Sequence, residues 1–293
     1  MKNIINLLFC SIFLLLIGCE ENVQEQAETE SSTDKEITEM KENTDNHVEK
    51  QKQPDETEVE TNLTPPAEQE TKVLYRLNET NWALEPIEEG TDENVVLLTI
   101  DDVPDNHALE MATLLKELDA PAIFFANGHF LHQEENKEML RQIHELGFSI
   151  GNHTMTHPNL SQISEAEQRE EILELNNLIE EIIGEKPTFF RAPHGVNTEY
   201  VRELVKQEGM LLMNWTYGYD YFEPYQDAEK LKEAMITGEG PEVDVNYSLL
   251  RPGANLLMHD REWTLDALED IVIGLREKGY SFVDPATIEI PSL

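Results

Sequence analysis

V-V-L-L-T-I-D-D-V-P, residues 95–104, starts as a nearly unbroken apolar run and ends on two neighbouring carboxylates before a proline. So short a run, rich in branched side chains, reads as a strand covered on both faces, the pattern parallel sheets impose. Downstream, Ala108, Met111, Leu114, Leu115 and Leu118 recur at helical spacing, and 122–126 is a second strand. The stripe of Met139, Ile143 and Leu146 stops at Gly147, a residue suited to a helix C-cap, and 148–150 is a third strand. Ser164, with Glu167 three residues on, is a capping-box signature, and the apolar face continues through Ile172, Leu175, Ile179, Ile182 and Ile183 to Gly184. Residues 188–190, 210–215, 255–258 and 281–283 read as further strands, and 199–207, 227–236 and 265–278 as helices. Such alternation implies a parallel sheet with helices packed outside it. Residues 75–87, with Trp82, read as an irregular lead-in packed on that domain.

Upstream the chemistry changes. Met1-Lys2 and the apolar stretch 4–17, broken only by Asn6 and Ser11, match a secretory signal and are short for a membrane span. Leu16-Ile17-Gly18-Cys19 resembles the bacterial lipobox, which implies removal of residues 1–18 and a diacylglycerol-bearing thiol at Cys19; the alternative is a secreted protein cut elsewhere. Cys10 leaves with the signal, so the mature domain is expected to hold no disulfide. Residues 20–72 contain no Gly, Phe, Tyr or Trp and are dominated by Glu, Thr, Asn, Gln and Lys. Such a segment cannot bury enough apolar surface to offset its ordering entropy, so 19–72 is expected to be a disordered acidic tether. Residues 73–293 are long enough for one catalytic domain, expected as a monomer. A net charge of −39 and a pI near 4.4 argue against a nucleic-acid partner, which needs a basic footprint, and against a polybasic grip on lipid headgroups.

G-N-H-T-M-T-H-P, residues 151–158, sets His153 and His157 four residues apart in a short polar turn. Two imidazoles at that spacing can close on one cation, and a catalytic site of this kind needs about three protein ligands with a position left open, so an acid from elsewhere must join them. Alone, such a pair reads more readily as two histidines on a solvated helix face. Position moves the reading: Asp101 and Asp102 follow the first strand, His153 and His157 the third, Arg191 the fourth, Asp220 the fifth and His259 the sixth. All fall past carboxyl ends. In a barrel those ends form one face, whereas an open doubly wound sheet gathers its loops less completely. A barrel is therefore expected, closed or incomplete.

Five stretches resemble the polysaccharide deacetylases, carbohydrate esterase family 4, also called the NodB-homology domain. They are T-I-D-D-V-P at 99–104, H-T-M-T-H at 153–157, R-A-P-H-G at 191–195, the segment 215–221 containing Asp220, and L-L-M-H at 256–259. The resemblance covers 95–283 and implies a distorted (β/α)7 barrel. It further implies Asp102, His153 and His157 as ligands of a divalent cation, usually Zn2+ though some members prefer others. Asp101 would be the general base steered by Arg191, and His259 the general acid steered by Asp220. The backbone N–H of His194 would hold the oxyanion, and Trp215 and Leu257 would wall the acetyl pocket. Ile100 and Val103 replace the family's usual Phe and Gly, so the turn after the aspartates is expected to take another shape, since Val103 resists a positive φ. Tyr221 stands where Trp is usual, His194 where an aromatic is common, and Trp215 lies closer to Asp220 than usual.

The function implied is metal-dependent N-deacetylation of a cell-wall glycan, most naturally peptidoglycan amino sugars, by an enzyme lipid-anchored at the outer face of the cell membrane. The rival from another class is a non-catalytic carbohydrate-binding lipoprotein derived from the family; a transport solute-binding lipoprotein fits less well, because such proteins usually have two lobes. Taken singly, the aspartates could be a mere turn, Arg191 a structural ion-pair residue and His259 a core histidine. The other histidines, His107, His129, His132 and His144, read as surface or loop residues, with His129, just past the second strand, the one candidate for an exception that lines the cleft. Tyr217, Tyr219, Tyr221, Phe222 and Tyr225 could stack on sugar rings or simply pack a loop.

Overall fold

The computed structural model describes residues 71–292; the expected signal, the expected lipidation at Cys19 and the expected tether up to residue 70 lie outside them. Among the described residues no helix is long and apolar enough to cross a membrane.

Seven strands alternate with six helices: β3 (Val95–Val103), α1 (Ala108–Glu117), β4 (Ala122–Ala126), α2 (Glu134–Glu145), β5 (Ser149–Asn152), α3 (Glu165–Ile183), β6 (Phe189–Phe190), α4 (Glu199–Gln207), β7 (Leu211–Leu212), α5 (Ala228–Thr237), β8 (Ala254–His259), α6 (Glu262–Glu277) and β9 (Ser281–Phe282). The lead-in is regular after all: β1 (Tyr75–Leu77) and β2 (Leu84–Pro86) pair antiparallel. This hairpin sits on the barrel at Gly253, whose carbonyl accepts from Leu84 N–H at 2.7 Å. A Cβ on Gly253, where φ is +77°, would lie 1.9 Å from the Leu84 carbonyl oxygen, so only glycine lets the two backbones touch.

The main sheet is wholly parallel and runs β7-β6-β5-β4-β3-β8, with β9 joined to the start of β3 beside β4. It curls until its two ends meet, but only at the bridge of Tyr217 to Leu256, made by Leu257 N–H to the Tyr217 carbonyl at 2.9 Å beside Thr216 N–H to the Asn255 carbonyl at 2.7 Å. The barrel is thus distorted, with one irregular seam. The fifth strand is shorter than 210–215: the buried Met213 makes the last bond to β6, its N–H donating to the Phe190 carbonyl at 2.9 Å, and the chain leaves the ladder after it.

Strand alternation sorts the core into two layers. Val96, Leu98 and Ile100 pack outward against Met111 and Leu115 of α1 and Leu268, Ile271 and Val272 of α6. Leu97 belongs with Ile123, Phe125, Phe189 and Leu211 inside the barrel. Each such side chain, fully buried, contributes roughly 1.5–3 kcal/mol. The longest helix, α3, is closed at both ends by its own sequence: Ser164 and Glu167 form the reciprocal capping box, and Gly184 caps in the left-handed conformation at φ 85°.

Candidate active site

The inward face of β3 continues from Leu97 through Thr99 to Asp101. Strict alternation would then turn Asp102 outward. A register shift between Ile100 and Val103, with Asp102 itself at φ 60°, breaks the pleat, and both carboxylates line the same cavity. The reshaped turn therefore carries its positive φ on Asp102, which tolerates it, and spares Val103.

Arg191, just past β6, is wholly buried, and a buried guanidinium is tolerated only when its donors are used. They are used here: Nη1 donates to Asp101 Oδ1 at 2.7 Å and Thr99 Oγ1 at 2.8 Å, Nη2 to the Asn214 carbonyl at 3.1 Å and Asn255 Oδ1 at 3.3 Å, and Nε to the Met213 carbonyl at 3.4 Å. Burial lowers its pKa and the Asp101 charge opposes that fall. The face of Phe125 lies 4.3 Å from the guanidinium carbon. Asp101 is held in one orientation as a result.

His153 follows β5 and is buried. Its Nδ1 lies 2.8 Å from the Arg191 carbonyl, which can only accept, so Nδ1 carries the hydrogen and Nε2 presents a lone pair. The turn to His157 hangs on α3: Thr156 N–H and hydroxyl donate to the two Glu171 carboxylate oxygens at 2.7 and 2.5 Å, and Met155 N–H to the Glu171 carbonyl at 3.0 Å. Asn152 joins in, accepting from Thr154 N–H at 2.8 Å while donating to Asn176 Oδ1 at 2.7 Å. Thr154 and His157 both take positive φ, 67° and 58°. His157 Nε2 then lies 3.5 Å and His153 Nε2 3.9 Å from Asp102 Oδ1.

The ligand atoms of Asp102, His153 and His157 lie within 4.8 Å of one another, two imidazole nitrogens and one carboxylate oxygen, a donor set suited to a first-row divalent cation. Electrostatics favours the ligating forms. Burial, aided by His153, pushes the His157 pKa down to about 4, leaving it neutral. Burial pushes Asp102 up, but His153, His259, His157 and Arg261 together carry it below its ordinary value. The residues fit the ion.

His259 ends β8 and meets Asp220, which is fully buried past β7. The Asp220 carboxylate accepts from His259 Nδ1 at 2.8 Å, His259 N–H at 2.5 Å and the Thr264 hydroxyl at 2.9 Å. Burial alone would depress the His259 pKa; Asp220, by charge and by hydrogen bond, outweighs it, with Asp101 and Asp102 adding, and the value rises to about 9. Asp101, Asp102, His153, His157, His194, Trp215, Leu257 and His259 all line one cavity of about 380 Å3.

Other placements sort the remaining candidates. His129 is exposed, as a surface residue, and is not the exception that lines this cavity. Tyr217, Tyr219 and Tyr225 are buried, the first two donating to the Met235 and Gly238 carbonyls at 2.7 Å each, so they pack their loop. Tyr221 parts from them, lining the cavity with its ring centroid 5.7 Å from that of His259. Sequence reasoning missed Thr99, Asn255 and Arg261. Thr99 and Asn255 do carry a signal, a polar side chain inside the apolar run that precedes the site residues of each strand.

A family model for polysaccharide deacetylase matches residues 88–213, which span β3 to β7 and stop short of Asp220 and His259. A chitooligosaccharide deacetylase from Rhizobium leguminosarum bv. phaseoli is 30% identical over 208 residues, covering 65% of this chain and 85% of that protein. A peptidoglycan-N-acetylglucosamine deacetylase from Bacillus cereus is 29% identical over 202 residues, 66% of this chain and 70% of that one. The chain spans only 58% of the length of another curated relative, from Bacillus subtilis. Among solved structures, a pseudoenzyme of carbohydrate esterase family 4 from Bacillus anthracis is 26% identical with a TM-score of 0.58, over 68% of this chain and 67% of that one. On the family model and these relatives, the chain belongs to the polysaccharide deacetylase family.

Proposed function

We propose that the protein is a metal-dependent N-deacetylase of a cell-wall glycan, with peptidoglycan amino sugars as substrate and Zn2+ as its cation. We further propose that it acts as a monomer anchored through lipid on Cys19 at the outer face of the cell membrane; the lipobox-like sequence and the acidic tether support this. The observation that carries the catalytic reading is one cavity shared by a carboxylate fixed by an arginine, an imidazole fixed by a carboxylate, and a three-ligand cation set.

A divalent cation held by Asp102, His153 and His157 supplies Lewis acidity toward the acetamide carbonyl and water. Asp101, oriented by Arg191, accepts the proton that water loses as its oxygen adds to the carbonyl carbon. The backbone N–H of His194 donates to the carbonyl oxygen as that oxygen gains charge. His259, kept protonated by Asp220, gives its proton to the amide nitrogen as the C–N bond breaks, leaving acetate and a free amine. Trp215 and Leu257 wall the space for the acetyl methyl, and the exposed ring of Tyr221 offers a sugar a stacking surface at the rim.

A second reading, a glycan-binding protein without catalysis, draws on the likeness to the Bacillus anthracis pseudoenzyme. Acetate release from N-acetylated oligosaccharides and purified peptidoglycan, with and without a chelator, separates the two. Chelator-sensitive release is the expected result, and glycan binding without release would favour the second reading.

A further inference from the structure

The two carboxylate oxygens of Asp102 face different partners. Oδ1 lies 3.5 Å from His157 Nε2 and 3.9 Å from His153 Nε2, whereas Oδ2 accepts a hydrogen bond from Arg261 Nη2 at 3.0 Å. The same guanidinium is fixed at two further points: Nη1 donates to the Asp260 carbonyl at 2.8 Å and lies 3.5 Å from Asp105 Oδ2. Asp260, buried, accepts from the backbone N–H groups of Asp105 and His107 at 2.7 Å each, which ties the end of β8 to the loop behind the two aspartates. Arg261 is itself no ligand and does not line the cavity.

We propose that Arg261 is a positioning residue that makes Asp102 a one-oxygen ligand. Nη2 of its fixed guanidinium occupies Oδ2 and leaves Oδ1 alone for the cation. A carboxylate free to offer both oxygens would fill one coordination position more, and a hydrolytic centre needs its remaining positions for water and for the substrate carbonyl. The inference rests on reading Asp102, His153 and His157 as cation ligands.

Cobalt(II) serves as the probe, because its visible absorption weakens as its coordination number rises. In Arg261→Gln the protein still takes up cobalt, its absorption per bound ion drops severalfold, and kcat falls roughly tenfold to a hundredfold with KM moved less. Arg261→Lys, which keeps one cationic donor for Oδ2, recovers most of both. If Arg261 merely braced the loop, Arg261→Gln would lower thermal stability and leave the spectrum per bound cobalt unchanged, and that result overturns the inference while the deacetylase reading stands. The cobalt-loaded natural protein gives a measurement independent of any variant's folding. A crystal structure should show one Asp102 oxygen on the ion and Oδ2 on Arg261; both oxygens on the ion would overturn the proposal. A natural protein that takes up no cobalt and releases no acetate sinks the proposed function and this inference together.

Discussion

Asp101 and Asp102 are chemically identical neighbours whose surroundings set them different tasks. Asp101 is buried against Arg191, and Asp102 faces two imidazoles with one oxygen and Arg261 with the other. Asp102→Asn should therefore empty the cation site, while Asp101→Asn should keep the metal and lose about 10²–10⁴ in rate. Elemental analysis beside acetate release tests this, and the opposite pattern would exchange the two roles. A second prediction follows from the His259–Asp220 pair. The imidazole must be protonated to donate, so kcat/KM falls as pH rises through the His259 pKa, which is about 9 in the ion-free site and lower once a cation adds its charge. Asp220→Asn removes the charge that opposes burial, so the basic limb should move to lower pH by about one unit or more. An unmoved limb would show that another group is the acid. Most of these residues are legible in the sequence because each ends a strand beside a distinctive motif. Arg261 is not, because a lone arginine at a helix start acquires meaning only from the carboxylate folded 159 positions away.

At the scale of elements, α3 has two separable jobs. Its N-terminus is closed by Ser164, so Ser164→Ala should lower stability by about 0.5–2 kcal/mol, read as a lower Tm, with metal affinity unchanged. Its middle holds the ligand turn through Glu171, so Glu171→Ala should loosen His157 and weaken metal affinity by roughly tenfold, a loss that cation titration would show. Equal effects of both variants on affinity would mean that the turn depends on the helix as a whole. The capping box and Gly184 made α3 readable to within a residue at each end. By contrast α2 starts at Glu134, ahead of its first apolar contact, because Glu134, Glu135, Asn136 and Lys137 show water no periodicity. The hairpin of β1 and β2 escaped notice because its strands are three residues each and include Glu85 and Pro86. The fifth strand was overextended at its end, since Met213 makes the last bond to β6 and residues 214–215 have turned away from the ladder.

For the whole molecule, a chain shortened to begin at Val73 should keep its Tm and its acetate release. Among the described residues the ion pair the cut removes is the exposed one of Lys72 with Glu88, a contact worth about 0–1 kcal/mol. A fall of many degrees would mean that the upstream segment helps build the core. Cys19→Ser should move the protein from the membrane fraction to the soluble one without changing hydrolysis in solution; retention in the membrane would point to an uncleaved anchor. The alternation of strands and helices was plain in the sequence, but the way the sheet closes was not, since a seam depends on where two distant segments happen to meet.

That seam makes the barrel a split ring. Asp220 stands on the lip formed by the chain leaving β7, and His259 on the lip formed by β8. The hydrogen bonds at 2.8 and 2.5 Å that prepare the imidazole for proton donation also fasten the two lips, beside the bridge of Tyr217 to Leu256. The dyad is the clasp of the ring, so a substitution that removes the Asp220 carboxylate would both slacken the closure and release the imidazole from its fixed orientation.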